Sequence, residues 1–148
     1  MSAKAIAHNR FWSARYLCPI LGMMAMFIAP VSLADDRPNH VNVDVEGLSE
    51  NARTGQQVFN QTCASCHGLN AEGSDAGPPL IHSIYNPGHH SNKAFYRAVT
   101  QGVAQHHWSF GNMPPQRNIG FSDMTYILAF IREVQVNNGI GTEAHRMR

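Results

Sequence analysis

Cys63-Ala64-Ser65-Cys66-His67 decides how this chain of 148 residues is read. Two thiols stand three positions apart, and an imidazole follows at once. Three chemistries use such spacing. A redox disulfide expects a βαβ context, and no strand pattern surrounds these residues. Half of a zinc site needs a second ligand pair at ordered spacing. His89-His90 and His106-His107 offer donors, but adjacent imidazoles rarely both reach one metal. The third chemistry is attachment of a c-type haem. The two thiols meet vinyl groups on one porphyrin edge as thioethers, and the adjacent imidazole reaches the iron.

The residues upstream favour the haem. Residues 1–34 carry Lys4, Arg10 and Arg15 and no acidic residue. An apolar run from Tyr16 to Leu33 follows, ending at Ser32-Leu33-Ala34 before Asp35-Asp36. Basic start, apolar middle and small-residue exit form a secretory signal, which delivers a chain to where haem is attached. The alternative is an uncleaved membrane anchor; the run is at the short edge of a span, and Pro19 and Pro30 interrupt it. Cleavage removes Cys18 and changes the formal charge from +1 to −2 over residues 35–148. Only Cys63 and Cys66 then remain, too few for a disulfide scaffold. The balanced charge excludes a nucleic-acid binder, and ordinary apolar content excludes a disordered polymer.

The rest reads as short helices among loops. Residues 35–48 show no helical period and are expected as a flexible leader. A helix is expected from Ser49 or Glu50 to about Asn60, with Ala52, Gly55, Val58 and Phe59 on one face. Residues 68–90 are rich in Gly and Pro and read as loop. A second helix is expected from Ser91 or Asn92 to Gly102, and residues 103–121 form another loop. A last helix is expected to start with Ser122 as N-cap, carry Met124, Ile127, Leu128, Ile131 and Val134 at helical spacing, and stop at Asn138-Gly139. The tail, 138–148, reads as frayed beyond Gly141. Three short helices bury little apolar surface against a backbone entropy cost of about 1–2 kcal/mol per residue. A large planar cofactor supplies the missing core.

The second iron ligand is expected downstream of His67. Met124 lies on an apolar helix face and reads as core; Met147 is near the end. Met113 lies in Gly111-Asn112-Met113-Pro114-Pro115, a stiff loop able to hold a thioether on iron. Such a soft donor favours ferrous iron and raises the reduction potential. Tyr85, Phe95, Tyr96 and Phe110 read as pocket walls, and His82, His89 and His90 as solvated loop residues. Trp108 reads as packing on the haem edge, with His106-His107-Trp108 as an alternative ligand source.

These residues, in order, resemble the class I cytochrome c family from about Ser49 to Val136: Gly55-x3-Phe59-x3-Cys63-x2-Cys66-His67-Gly68, then Gly77-Pro78-Pro79-Leu80, then Met113-Pro114, then a helix with Ala129-Phe130-Ile131-Arg132. The resemblance implies an all-α cytochrome c fold over 49–137, three main helices with long loops wrapped around one covalently bound haem c. It implies that the first and last helices cross closely, with Gly55 and Phe59 against Ile127 and Phe130. It gives the Pro78 carbonyl the His67 Nδ1–H, and packs Leu80 on the ring. The short Gly68–Leu80 loop and the Met-Pro-Pro ending look like bacterial periplasmic members.

The expected function is a periplasmic monohaem electron carrier. Its partners are redox proteins (a dehydrogenase, oxidase or reductase), with membrane association only if the signal stays uncleaved. It has no catalytic residue; its cofactor-binding residues are Cys63, Cys66, His67, Pro78, Leu80 and Met113, and its metal ligands are His67 and Met113. Two alternatives stand beside it. One is a haem enzyme or gas sensor whose sixth position exchanges Met113 for His106 or His107. The other is a haem subunit of a larger dehydrogenase or oxidase complex.

Overall fold

A computed structural model describes residues 38–143. The expected secretory signal, residues 35–37 of the leader, and 144–148 of the tail lie outside the described residues. The elements are α1 (Glu50–Thr62), α2 (Ala64–His67), α3 (Asn92–Gln101) and α4 (Phe121–Asn137), with 3-10 turns at Leu69–Ala71 and Ser83–Tyr85. Among the described residues there is no strand, only isolated bridges.

Ser49 caps α1, its hydroxyl accepting the Ala52 N–H. The Glu133 carboxylate accepts both the Ser49 N–H (2.9 Å) and its hydroxyl (2.7 Å), tying the start of α1 to α4. Ala52, Gly55 and Phe59 form the buried stripe of α1. At Gly55 the helices nearly touch: a Cβ there would stand 1.9 Å from the Tyr126 carbonyl oxygen. Phe59 packs on Phe130 with ring centroids 5.6 Å apart. The resemblance implies Ile127 and Phe130 here; Phe59 meets Phe130, and Gly55 falls against the Tyr126–Ile127 peptide, as an all-α cytochrome c fold requires.

α3 begins at Ser91, whose hydroxyl accepts the Ala94 N–H, and ends at Gly102 with φ of 78°. α4 starts earlier than expected, because the Asp123 carboxylate reaches back to accept the Gly120 N–H at 3.0 Å. Gly120 is therefore the N-cap, and Ser122 lies inside the first turn.

Residues 38–48 correct the expectation of a flexible leader. Val41, Val43 and Val45 pack against the core, and Leu48 is buried. The Val41 N–H donates to Glu72 O at 2.8 Å. The Asn138 amide accepts from the Asp44 N–H and donates to the Asp44 carbonyl, each at 2.9 Å. The segment is extended with alternate residues inward, a period of two that a search for helical period passes over. Past α4, Ile140 packs on the core, and the Glu143 N–H donates to Asn86 Oδ1 at 3.2 Å. The tail is thus anchored through its described end.

Candidate functional site

The Cys63–His67 stretch sits where α1 gives way to α2. The Cys63 N–H closes α1 on Phe59 O at 2.7 Å, and the N–H groups of Cys66 and His67 return to Cys63 O at 3.1 and 2.9 Å. One tight turn therefore separates the two sulfurs, and neither cysteine forms a disulfide. Cys63 is half-buried and Cys66 exposed. Burial pushes the Cys63 thiol up, the Thr62 hydroxyl beside it lowers it, and Cys66 raises it again.

His67 Nδ1 lies 2.9 Å from the Pro78 carbonyl oxygen. A carbonyl only accepts, so the hydrogen sits on Nδ1 and Nε2 keeps its lone pair. Burial pushes the His67 imidazole below its ordinary range, with the Pro78 bond opposing it. The intervening loop is held at several points. Gly73 N–H donates to His67 O at 2.7 Å, the Ser74 hydroxyl donates to Cys66 O, and Leu80 N–H donates to Ala71 O at 2.9 Å. Asn60 and Asn70 clamp it to α1: Asn60 Oδ1 accepts the Asn70 N–H at 2.8 Å, and Asn60 Nδ2 donates to Asn70 Oδ1 at 3.1 Å.

Met113 is held by backbone pairing with Val103 in both directions. The tip of its loop is braced by Gln105, whose N–H donates to Asn112 Oδ1 at 2.9 Å and whose Oε1 accepts the Gly111 N–H at 2.6 Å.

A cavity of about 380 Å³ joins these parts. Cys63, His67, Pro78, Leu80 and Met113 all line it. Met124, Ile127 and Ile131 of α4 and Phe95, Ala98 and Val99 of α3 add apolar wall. Its volume falls in the range of organic-cofactor sites. A half-buried imidazole with a free Nε2 lone pair, a thioether and the Cys63 sulfur in an apolar chamber, with exposed Cys66 one turn away outside its lining, form a donor set that fits haem c. An apolar chamber of this size suits a flat apolar ring.

Several expectations need correction. Tyr85, Phe95 and Phe110 line the cavity, but Tyr96 does not; it packs on Phe121 and its hydroxyl donates to Phe121 O at 3.1 Å. Trp108 is buried in the cavity wall. His82 is no bystander, since its Nδ1 accepts the Ile84 N–H at 3.2 Å and caps the turn there. His89 and His90 meet His106 and His107 across two loops. Burial pushes the His90 imidazole down, a bond to Ile84 O raises it, and His89, His106 and Arg132 lower it further.

Arg132 and Gln135 are the residues whose structural role the sequence reading missed. Arg132 donates to Tyr85 O (2.9 Å), to His90 O, to Asn92 Oδ1 (2.9 Å) and to Gln135 Oε1 (2.6 Å). Buried Gln135 donates to Leu80 O (3.1 Å) and Tyr85 O (2.9 Å). Together they pin residues 80–92 to α4. The available signal was a polar pair, i and i+3, beside the apolar stripe.

The family model described as cytochrome c matches residues 52–135. Among solved structures, the chain is similar to a cytochrome cL from the marine methylotrophic bacterium Methylophaga aminisulfidivorans MPT, at 25% identity and a TM-score of 0.48, covering 66% of this chain and 73% of that one. The comparison with curated proteins found no match.

Proposed function

Because the chain belongs to the cytochrome c family, and so binds one covalent haem c and transfers electrons to redox partners, we propose that it is a monohaem carrier shuttling single electrons in the periplasm. Haem iron supplies a reversible one-electron couple when bound. In this reading Cys63 and Cys66 would hold the group by thioethers, and His67 and Met113 would ligate its iron. The Pro78 carbonyl fixes the plane of His67 and strengthens it as a donor. Leu80 and the α3 and α4 side chains exclude water, which keeps reorganisation between redox states small and disfavours substrate binding at iron.

The observation that carries this reading is the shared cavity. His67 and Met113, far apart in sequence, line one apolar chamber with the Nδ1 of His67 already committed to Pro78. Export to the periplasm rests on the basic, apolar and small-residue order of residues 1–34. The domain then runs over 49–137, with 38–48 and the described tail docked on it.

An optical redox titration of the exported protein tests the proposal. The expected result is a c-type spectrum with a weak red-end band, assigned to methionine sulfur on ferric iron, and a single one-electron transition. A missing band with rapid carbon monoxide or cyanide binding would instead support the ligand-sensing or enzymatic alternative. Cys63→Ala combined with Cys66→Ala abolishes the haem-coloured band on a denaturing gel; a persisting band would overturn the attachment site. Mass spectrometry of the mature chain reads cleavage after Ala34 directly.

A further inference from the structure

We propose that His89, His90 and His107 bind one late first-row divalent transition ion, zinc(II) or copper(II), at the rim of the cavity. One ring nitrogen from each converges, all three within 4.8 Å of one another. His89 Nε2 and His107 Nε2 are 3.2 Å apart. Two metal–imidazole bonds of ~2.0–2.1 Å at a tetrahedral angle separate their nitrogens by about 3.3 Å. This pair therefore already stands near the spacing of two ligands on one ion, and the His90 nitrogen, within 4.8 Å of both, must close on them to complete the set.

The tautomer of His90 suits the role. Its Nδ1 lies 2.8 Å from Ile84 O, which only accepts, so Nε2 carries the lone pair. Metal-bound histidines commonly make this outer bond, which orients the ring and raises its basicity. His106 stands beside the group, its ring 4.2 Å from that of His107. Its Nδ1 is 2.8 Å from Ala104 O, and it is not one of the three converging ligands, so water would take a fourth position.

The two loops are braced from below. Buried Asn86 accepts the N–H groups of Gly88 (2.9 Å) and His89 (3.2 Å) on its side-chain oxygen, and that of His90 (2.8 Å) on its carbonyl. Arg132 holds the His90 carbonyl. The loop bearing His107 is closed by the Val103–Met113 bridge. Three converging imidazoles select zinc or copper over magnesium or calcium, which prefer oxygen ligands.

The test is equilibrium dialysis of the haem-loaded protein against Zn2+, Cu2+ or Mg2+, with bound metal counted per chain. One equivalent of Zn2+ or Cu2+ is expected and no Mg2+, with copper tighter than zinc. His89→Ala and His107→Ala should each weaken Zn2+ binding by at least about tenfold. His40→Ala, outside the cluster, should leave binding unchanged. The haem spectrum reports folding of each variant, and His107→Gln replaces any variant that fails to fold. Electron paramagnetic resonance of the Cu2+ form should show coupling to several imidazole nitrogens without any substitution. No uptake, uptake unchanged in both histidine variants, or copper lacking nitrogen coupling would each overturn the site.

Discussion

Val103 and Met113 bind each other's backbone in both directions, Val103 N–H donating to Met113 O at 2.9 Å and Met113 N–H donating to Val103 O at 3.0 Å. Gly102, just before this bridge, has φ of 78°, and a Cβ there would come 2.6 Å from Met113 O. Only glycine tolerates both conditions without strain. The position of Met113 is therefore set by main chain, and its side chain can be cut back without releasing the loop.

Met113→Ala follows from that separation. The variant should keep covalent haem, lower the reduction potential, and open the iron to carbon monoxide and cyanide, because the soft donor favouring ferrous iron is gone. Redox titration and ligand-binding spectra check this. An unchanged potential and spectrum would show that this sulfur is not on iron.

Gly55→Ala has two opposing contributions. Within a helix, alanine is favoured over glycine by about 1 kcal/mol. At this crossing its Cβ would stand 1.9 Å from the Tyr126 carbonyl, so α1 and α4 must separate. Overpacking of this kind costs ~1–3 kcal/mol or more. The expected net result is a lower melting temperature of the haem-loaded protein. A raised one would show that the crossing has room.

Gln135→Leu tests the polar anchor inside α4. Leucine suits the apolar surroundings, yet the Leu80 and Tyr85 carbonyls would each lose a donor and Arg132 an acceptor. Unsatisfied buried groups cost ~1–3 kcal/mol each, less where another partner remains, as Arg132 does for Tyr85 O. A drop of about 2 kcal/mol in unfolding free energy is expected, with faster amide exchange across residues 80–92. Stabilisation by leucine would mean that those carbonyls find other donors.

Local chemistry was legible in the sequence and long-range polar contacts were not. Ser49 and Ser91 announce their helices because a capping hydroxyl acts within three residues. The start of α4 was misread because Gly120 has no capping side chain of its own, and Asp123 supplies the bond from within the helix. Cys63, His67, Pro78, Leu80 and Met113, singled out by spacing and resemblance, line one cavity. His89 and His107 meet only because Arg132, Asn86 and the Val103–Met113 bridge fold two loops together. Nothing local in either histidine pair encodes that meeting.

Asn138 offers a test of how residues 38–48 are held. Its side-chain amide serves both backbone groups of Asp44, accepting one N–H and donating to one carbonyl, as a neighbouring strand would. It also donates to Val134 O at 2.8 Å, closing the end of α4. Asn138→Ala removes all three bonds at a half-exposed site, where water can reach the Asp44 groups, so the loss should be about 1 kcal/mol in total. The local effect should be larger than the global one. The Asp44 amide loses its acceptor, and its exchange should accelerate well beyond that of the Val41 amide, which keeps Glu72 O. Unchanged exchange at Asp44 would mean that apolar packing of Val41, Val43, Val45 and Leu48, with the Val41–Glu72 and Asn137–Glu46 bonds, holds the segment without Asn138.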